Sequence, residues 1–229
     1  MITGGTGNLG RSTALAFADA GARVVVVDHD EEKQNILYAD WAAGDRHLLM
    51  TPFDVTSPPD AFRLVAECVG KTGSIDVLIN TVGGYRGGNP VQETDPETWD
   101  ALMALNAGSV FLLARAVVPQ MLEQGHGKIV NISARSGAMG TSGQSAYSAS
   151  KAAVISLTET MSAELRRKGI NVNCILPGTI DTPENRKAMP KADAGRWVAP
   201  ESLASVILFL ASDAARDVHG VALPVYGQS

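Results

Sequence analysis

Thr3-Gly4-Gly5-Thr6-Gly7-Asn8-Leu9-Gly10 is the stretch on which the reading of the fold turns. Glycines at Gly4, Gly7 and Gly10 permit a tight turn. They also let an anion such as a pyrophosphate approach the N-terminus of the following helix, where backbone N–H groups are unpaired and the dipole is positive. The loop residues Gly4, Gly7, Asn8, Leu9 and Gly10 are therefore candidate cofactor contacts. Spaced glycines alone are common, and Asp28 gives them weight. It follows the valine run 24–27 directly, where a carboxylate can accept hydrogen bonds from both hydroxyls of an adenosine ribose. The same charge repels a 2′-phosphate, so NAD(H) is favoured over NADP(H). The plainer reading of Asp28 is a strand-end turn residue, and Arg11 reads as a surface residue of the first helical turn.

Beyond the loop, short β-branched runs alternate with longer helical stretches, the pattern of a parallel sheet covered on both faces. Runs at 24–27, 48–53, 77–80, 129–133 and 172–176 are almost wholly apolar, and 221–225 closes the set. Helices are predicted over 11–20, 59–71, 96–123, 146–168 and 200–211. The fold class is thus α/β: a Rossmann-type doubly wound parallel sheet of about seven strands, in a single domain over 1–229. Thr94-Asp95-Pro96-Glu97 combines a capping oxygen, a first-turn proline and a glutamate three residues after the threonine, which starts a helix. Arg166-Arg167-Lys168-Gly169 ends one, its cations complementing the dipole. The long irregular stretch 178–199 predicts a lid over the site. Only Met1 and Ile2 remain for the strand that must precede the glycine loop. Either the true start lies upstream, or this strand is short and the cofactor end less stable.

Composition narrows the function classes. The 229 residues are 45% hydrophobic with a net charge of -5, whereas nucleic acids and anionic membranes are bound through an excess of Lys and Arg. Cys68 and Cys174 lie far apart and predict free buried thiols; His29, His47, His126 and His219 show no ligand spacing, so no metal is expected. No apolar run approaches the roughly 18 residues of a membrane span, and no basic and apolar leader precedes the glycine loop, which makes the cytoplasm the expected location.

Tyr147-Ser148-Ala149-Ser150-Lys151 puts a phenol and an ammonium at i and i+4 on one helix face. A tyrosine titrating near 10 is a poor proton donor and acceptor at neutral pH, and a neighbouring cation is expected to lower it toward the working range. Together with the glycine loop, Asp54-Val55, Asn80-Thr81-Val82-Gly83, Asn106, and Pro177-Gly178 with Thr182, this motif resembles the short-chain dehydrogenase/reductase superfamily along essentially the whole chain. The resemblance implies that Asp54 and Val55 border an adenine and that Asn80 and Gly83 support the cofactor. It further implies that Pro177, Gly178, Ile180 and Thr182 lie at the nicotinamide end, that Lys151 binds the nicotinamide ribose, that Asn106 holds a water relay and that Tyr147 exchanges the proton with substrate. For Asn106, a role in satisfying a helix kink is compatible with that one.

One departure matters. Most members carry a serine thirteen residues before the tyrosine, where this chain has Ala134. Ser133 is expected to point to the other side of the strand and Ser136 stands two residues late. Removing one donor from an oxyanion-type site costs on the order of 2.7–4 kcal/mol, which weighs against simple ketone reduction. Dihydropteridine reductase is a branch without that serine. It is similar in the glycine loop, in 82–88 with paired glycines around Tyr85, in Ala134-Arg135, and in the lid 181–193 followed by Trp197. Ala134, Arg135, Tyr85 and Trp197 are accordingly the substrate candidates, Tyr85 and Trp197 as flanks for a flat ring, although Trp197 reads equally as a pin holding the lid to the core.

Three functions follow. The first is an NADH-dependent reductase of a pteridine, quinonoid or similarly conjugated small molecule. The second is a 3-oxoacyl-thioester or ketone reductase, or an alcohol dehydrogenase. The third, of another class, is a dinucleotide-sensing subunit without chemistry, against which the Asn106, Tyr147 and Lys151 set argues. The resemblance also implies a homodimer or homotetramer joined through the two long helices.

Overall fold

The apolar runs pair side by side, all in parallel, in a computed structural model that describes residues 1–228. The strands are β1 (Ile2–Thr3), β2 (Val25–Val27), β3 (Leu48–Met50), β4 (Val77–Asn80), β5 (Gly127–Ile132), β6 (Ile170–Pro177) and β7 (Ala222–Val225), in the order β3-β2-β1-β4-β5-β6-β7. Strand periodicity assigns alternate residues to opposite faces. Val25, Val27, Ile129 and Val172 enter one core cluster with Leu64, Leu113 and Val117, whereas Val26, Ile79, Val130 and Ile175 enter the other with Phe17, Leu203 and Ile207.

The helices are α1 (Asn8–Asp19), α2 (Glu31–Leu37), α3 (Ala39–Ala42), α4 (Pro58–Thr72), α5 (Pro96–Leu102), α6 (Ser109–Gln124), α7 (Arg135–Ala138), α8 (Ser145–Leu165), α9 (Pro183–Ala188) and α10 (Pro200–Ala211). Four sequence expectations are corrected. The segment 96–123 is two helices joined by a π-helical turn, Met103–Gly108, that contains Asn106. Its start is capped by Asp95, which accepts from the Thr98 amide at 2.6 Å, while the Thr94 hydroxyl is turned to Pro90 and Ser145. Pro96–Gln124 is long and apolar enough to cross a membrane by length and composition, and half of its most apolar 18 residues are buried in the fold. Finally, α2 stands where no helix was expected. Asp30 caps it by accepting from the Lys33 amide, and Glu31 and Glu32 sit at the positive end of its dipole.

β1 is only two residues long, yet it pairs with β2 on one side and β4 on the other. The Met1 nitrogen donates to the Val77 carbonyl at 2.7 Å, and a cavity of about 300 Å³ lies beside it, lined by Phe17, Val24, Cys68 and Ile75 among others. Cys68 and Cys174 are both free and buried.

Across the middle of the sheet runs a buried polar chain. Asn80 Nδ2 donates to Asn131 Oδ1 at 2.8 Å, and Asn131 Nδ2 donates to Thr158 Oγ1 at 2.9 Å, joining β4, β5 and α8. Replacing Asn131 by leucine keeps the branched shape of the side chain but strands the Asn80 donor in a site closed to water. The expected cost is about 1–3 kcal/mol, read as a lower urea midpoint at unchanged slope; unchanged stability would show that the chain contributes nothing.

Candidate active site

The strand order reverses between β1 and β4, so the connections from these strands leave in opposite directions and open a crevice at their C-terminal ends. The glycine loop enters this crevice directly from β1. A Cβ on Gly10 would lie 2.1 Å from the Gly4 carbonyl oxygen and 2.9 Å from Thr81 Oγ1, so only glycine lets helix α1 start against the loop and β4. No side chain caps α1 at Gly7, which leaves its first amides directed into the crevice. The loop is secured from outside: Thr6 N–H donates to Asp28 Oδ2 at 2.9 Å, and the buried Tyr38 hydroxyl donates to the Gly5 carbonyl at 2.7 Å.

Asp28 is itself buried at the end of β2 and accepts from three amides, those of Thr6, His29 and Asp30. Burial pushes its carboxyl up, but these donors outweigh burial and hold it below the ordinary aspartate value. A charged carboxylate therefore faces whatever enters past the loop. Next along the sheet, Asp54 accepts from the Thr56 amide and hydroxyl, and Val55 is buried. Asn80 closes β4 with its Oδ1 buried and unpartnered among the described residues.

Asn106, Tyr147 and Lys151 come together on the other side of the crevice. The π turn brings Asn106 under the 83–84 loop: Oδ1 accepts from the Gly84 amide at 2.9 Å, and Nδ2 donates to the Gly84 carbonyl and to Ser150 Oγ. Ser150 Oγ donates in turn to the Tyr147 carbonyl at 2.8 Å. Sequence reasoning missed Ser150, because a serine within a helix carries no signal of its own. Lys151 Nζ donates to the Ile132 carbonyl at 2.9 Å and lies 6.0 Å from the centre of the Tyr147 ring. A Cβ on Gly83 would lie 2.8 Å from Asn106 Oδ1 and 3.1 Å from Lys151 Nζ, so glycine is what permits the loop to pass over both.

The electrostatics differ from the sequence expectation. Burial pushes the Tyr147 phenol up to about 12, with neighbouring Tyr85 acting in the same direction. Burial also brings Lys151 down to about 8. Desolvation is the largest cause of both shifts, and the neutral phenol is the resting form.

Ala134 is buried at the end of β5 and offers no hydroxyl. Ser133 Oγ donates to the Lys151 carbonyl at 2.7 Å, and Ser136 is buried in α7. Arg135 places its guanidinium 5.1 Å from the centre of the Tyr226 ring. Tyr85 meets Tyr147 edge-on at 4.9 Å, whereas Trp197 follows the turn Ala194–Arg196 and does not join that ring pair. Pro177 ends β6, and the Gly178 amide donates to the Val225 carbonyl. The 178–199 stretch is partly ordered by the Ile180–Val198 bridge and by α9, which Thr182 caps by accepting from the Asn185 amide. Asn8 Nδ2 donates to Glu184 Oε2 at 2.9 Å, tying α9 to the glycine loop.

A family profile described as short chain dehydrogenase matches residues 1–193. The chain belongs to this family. It is an NAD(P)-dependent oxidoreductase of the short-chain type, acting on small molecules. Among relatives of this short-chain dehydrogenase, the 3-oxoacyl-(acyl-carrier-protein) reductase FabG of Thermotoga maritima is 37% identical over 235 residues, covering 99% of this chain and 95% of the relative. The 2,5-dichloro-2,5-cyclohexadiene-1,4-diol dehydrogenase LinX of Sphingobium indicum is 34% identical, covering 99% and 94%. The solved structure of NAD+-bound xylitol dehydrogenase superposes with a TM-score of 0.89 at 29% identity, covering 98% of this chain and 96% of that one.

Lys151 gives the site a stability signature in the absence of dinucleotide. Its folded value of about 8 lies below the ordinary 10.5, so folding disfavours its proton. The penalty is full below about pH 8 and fades as pH rises to 10.5, where the unfolded chain also loses the proton. Lys151→Met should therefore be more stable than the wild type at pH 6–7, by up to about 3 kcal/mol less the lost bond to Ile132. That advantage should shrink between pH 8 and 10.5. Tyr147, shifted up, destabilises both proteins alike as pH rises above 10. Parallel stability curves for the two proteins would refute the assignment.

Proposed function

We propose that this single-domain protein transfers hydride between NAD(H) and a small ketone or secondary alcohol, with 3-oxoacyl thioesters and ring alcohols as the leading substrate classes. The observation that carries the reading is the joined set Tyr147, Lys151 and Asn106, with Ser150 linking Asn106 to the Tyr147 backbone beside the crevice. The fit of a dinucleotide is supported by the uncapped start of α1, the Gly10 approach and the charged Asp28.

In this reading the amides from Gly7 to Gly10, with Gly4, Asn8 and Leu9, receive the pyrophosphate, and Asp28 receives the adenosine ribose. Asp54 and Val55 border the adenine, and Asn80 and Gly83 support the middle of the cofactor. Pro177, Gly178, Ile180 and Thr182 receive the carboxamide end. The dinucleotide, when bound, supplies or accepts the hydride. Tyr147 donates its phenolic proton to the substrate oxygen in reduction and takes it back in oxidation. Lys151 binds the nicotinamide ribose and stabilises the phenolate once formed, while Asn106 holds the water that restores the proton. The 178–199 stretch closes over the substrate.

A second reading is a conjugated acceptor such as a quinonoid dihydropterin, held among Ala134, Arg135, Tyr85 and Trp197. It is favoured by one observation: Ala134 lacks a hydroxyl, and the adjacent Ser133 hydroxyl is committed to the Lys151 carbonyl. Cytoplasmic location and assembly as a homodimer or homotetramer complete the proposal. The latter is supported by exposed Trp99 on α5 and exposed Phe111 and Leu122 on α6.

The test is NADH oxidation by purified protein on a panel of 3-oxoacyl thioesters, ketones and quinonoid dihydropterin, with alcohols and NAD+ run in reverse. Tyr147→Phe should lower turnover about 10²–10⁴-fold with NADH binding intact. Reduction of the pterin alone would select the second reading, and activity that survives in Tyr147→Phe would overturn both. Cofactor choice is read separately. Asp28→Ala should raise the KM for NADH about tenfold or more, as expected for loss of charge-assisted bonds, and erase the preference over NADPH. A wild type that already prefers NADPH would reverse the assignment.

A further inference from the structure

Tyr85 is half exposed at the mouth of the crevice, an uncommon place for a large aromatic residue in a chain with 5% aromatics. Its position is nonetheless built. The ring meets Tyr147 edge-on, with centroids 4.9 Å apart and planes at 79°, a favourable aromatic geometry. Its hydroxyl occupies space that only glycine leaves: a Cβ on Gly87 would lie 2.7 Å from Tyr85 Oη and 2.9 Å from the Gly143 carbonyl. The loop is fastened there by the Gly88 amide, which donates to the same Gly143 carbonyl at 2.8 Å. Gly143 immediately precedes the turn into α8, the helix that carries Tyr147. The 83–90 loop and the start of α8 therefore hold each other, with Tyr85 and Tyr147 as the contacting side chains.

We propose that Tyr85 is a positioning residue for Tyr147: seated over Gly87, it fixes the orientation of the reacting phenol and walls it from solvent, while its outer face lines the substrate path. This rests on the reading of Tyr147 as the proton-exchanging group. It assigns Gly87 a task beyond cofactor contact, namely to leave room for the Tyr85 hydroxyl so that the ring can meet Tyr147 edge-on. The electrostatics agree with the geometry, since Tyr85 opposes ionisation of Tyr147 after burial has done so.

The test compares the wild type with Tyr85→Ala, Tyr85→Phe and Gly87→Ala, using the most active member of the ketone and 3-oxoacyl thioester panel. NADH binding by fluorescence titration and circular dichroism control for folding. Tyr85→Ala should lower kcat about tenfold or more while the Kd for NADH stays within about twofold, because a misplaced phenol loses orientation rather than binding. Tyr85→Phe keeps the edge contact and should recover most of that loss, with the alkaline limb of its pH–rate profile moved to lower pH. Gly87→Ala retains the tyrosine but displaces it, and should reproduce the kcat loss in part. The proposal fails if Tyr85→Ala keeps the wild-type kcat and pH profile while Tyr147→Phe is inactive. It also fails if Tyr85→Ala loses NADH affinity and folded structure together with kcat, which marks a merely structural residue. Failure of the underlying reading is distinguishable, because Tyr147→Phe would then remain active itself.

Discussion

A buried ammonium needs a partner, and the way Lys151 finds one organises the site. Its Nζ donates to the Ile132 carbonyl at the end of β5, and its own carbonyl accepts from Ser133 Oγ one residue further on. Two bonds of opposite sense thus lock one turn of α8 to the end of one strand. Water cannot replace either bond at that depth, so loosening the contact would leave a charge and a carbonyl unsatisfied together. Tyr147, one helical turn earlier, inherits its place from this lock, and Gly83 passes over it at a distance that excludes any side chain.

The same burial decides the chemistry. Desolvation favours the neutral form of both side chains, pushing Tyr147 up to about 12 and Lys151 down to about 8. A tyrosine in this state holds its proton at neutral pH, which in the proposed reading suits the reductive direction. Lys151, at about 8, remains mostly ammonium at neutral pH, so it is ionisation of Tyr147 that requires compensating charge or hydrogen bonds to arrive with the ligands. Beside Ala134, the Ser133 hydroxyl is held by its bond to the Lys151 carbonyl.

Much of the fold was legible in the chain. The valine run before Asp28, the run before Asn80 and the runs that became β5 and β6 are almost wholly apolar, as strands covered on both sides are. Tyr147 and Lys151 announced themselves by helical spacing, and Gly4, Gly7 and Gly10 by theirs. Less legible was whatever depends on distant partners. Asn106 in a π turn, Ser150 beneath it and Glu184 reaching Asn8 carry no local pattern, because their partners lie 22 to 176 residues away. The capping role passed from Thr94 to Asp95 for a similar reason: the threonine hydroxyl found Ser145 across the fold.

Periodicity, glycine spacing and the i, i+4 pair are consequences of the covalent chain and of backbone sterics, and these the sequence by itself determined: a parallel α/β sheet, a loop shaped for an anion and a phenol beside an ammonium. Which face of that pair is dry, which way its protons are biased, and which aromatic ring stands against Tyr147 were decided only in three dimensions. Solvation and contact are properties of what surrounds a group, and for this site the surroundings come from β4, β5, the π turn, the 83–90 loop and α8, segments that meet only when the sheet has formed.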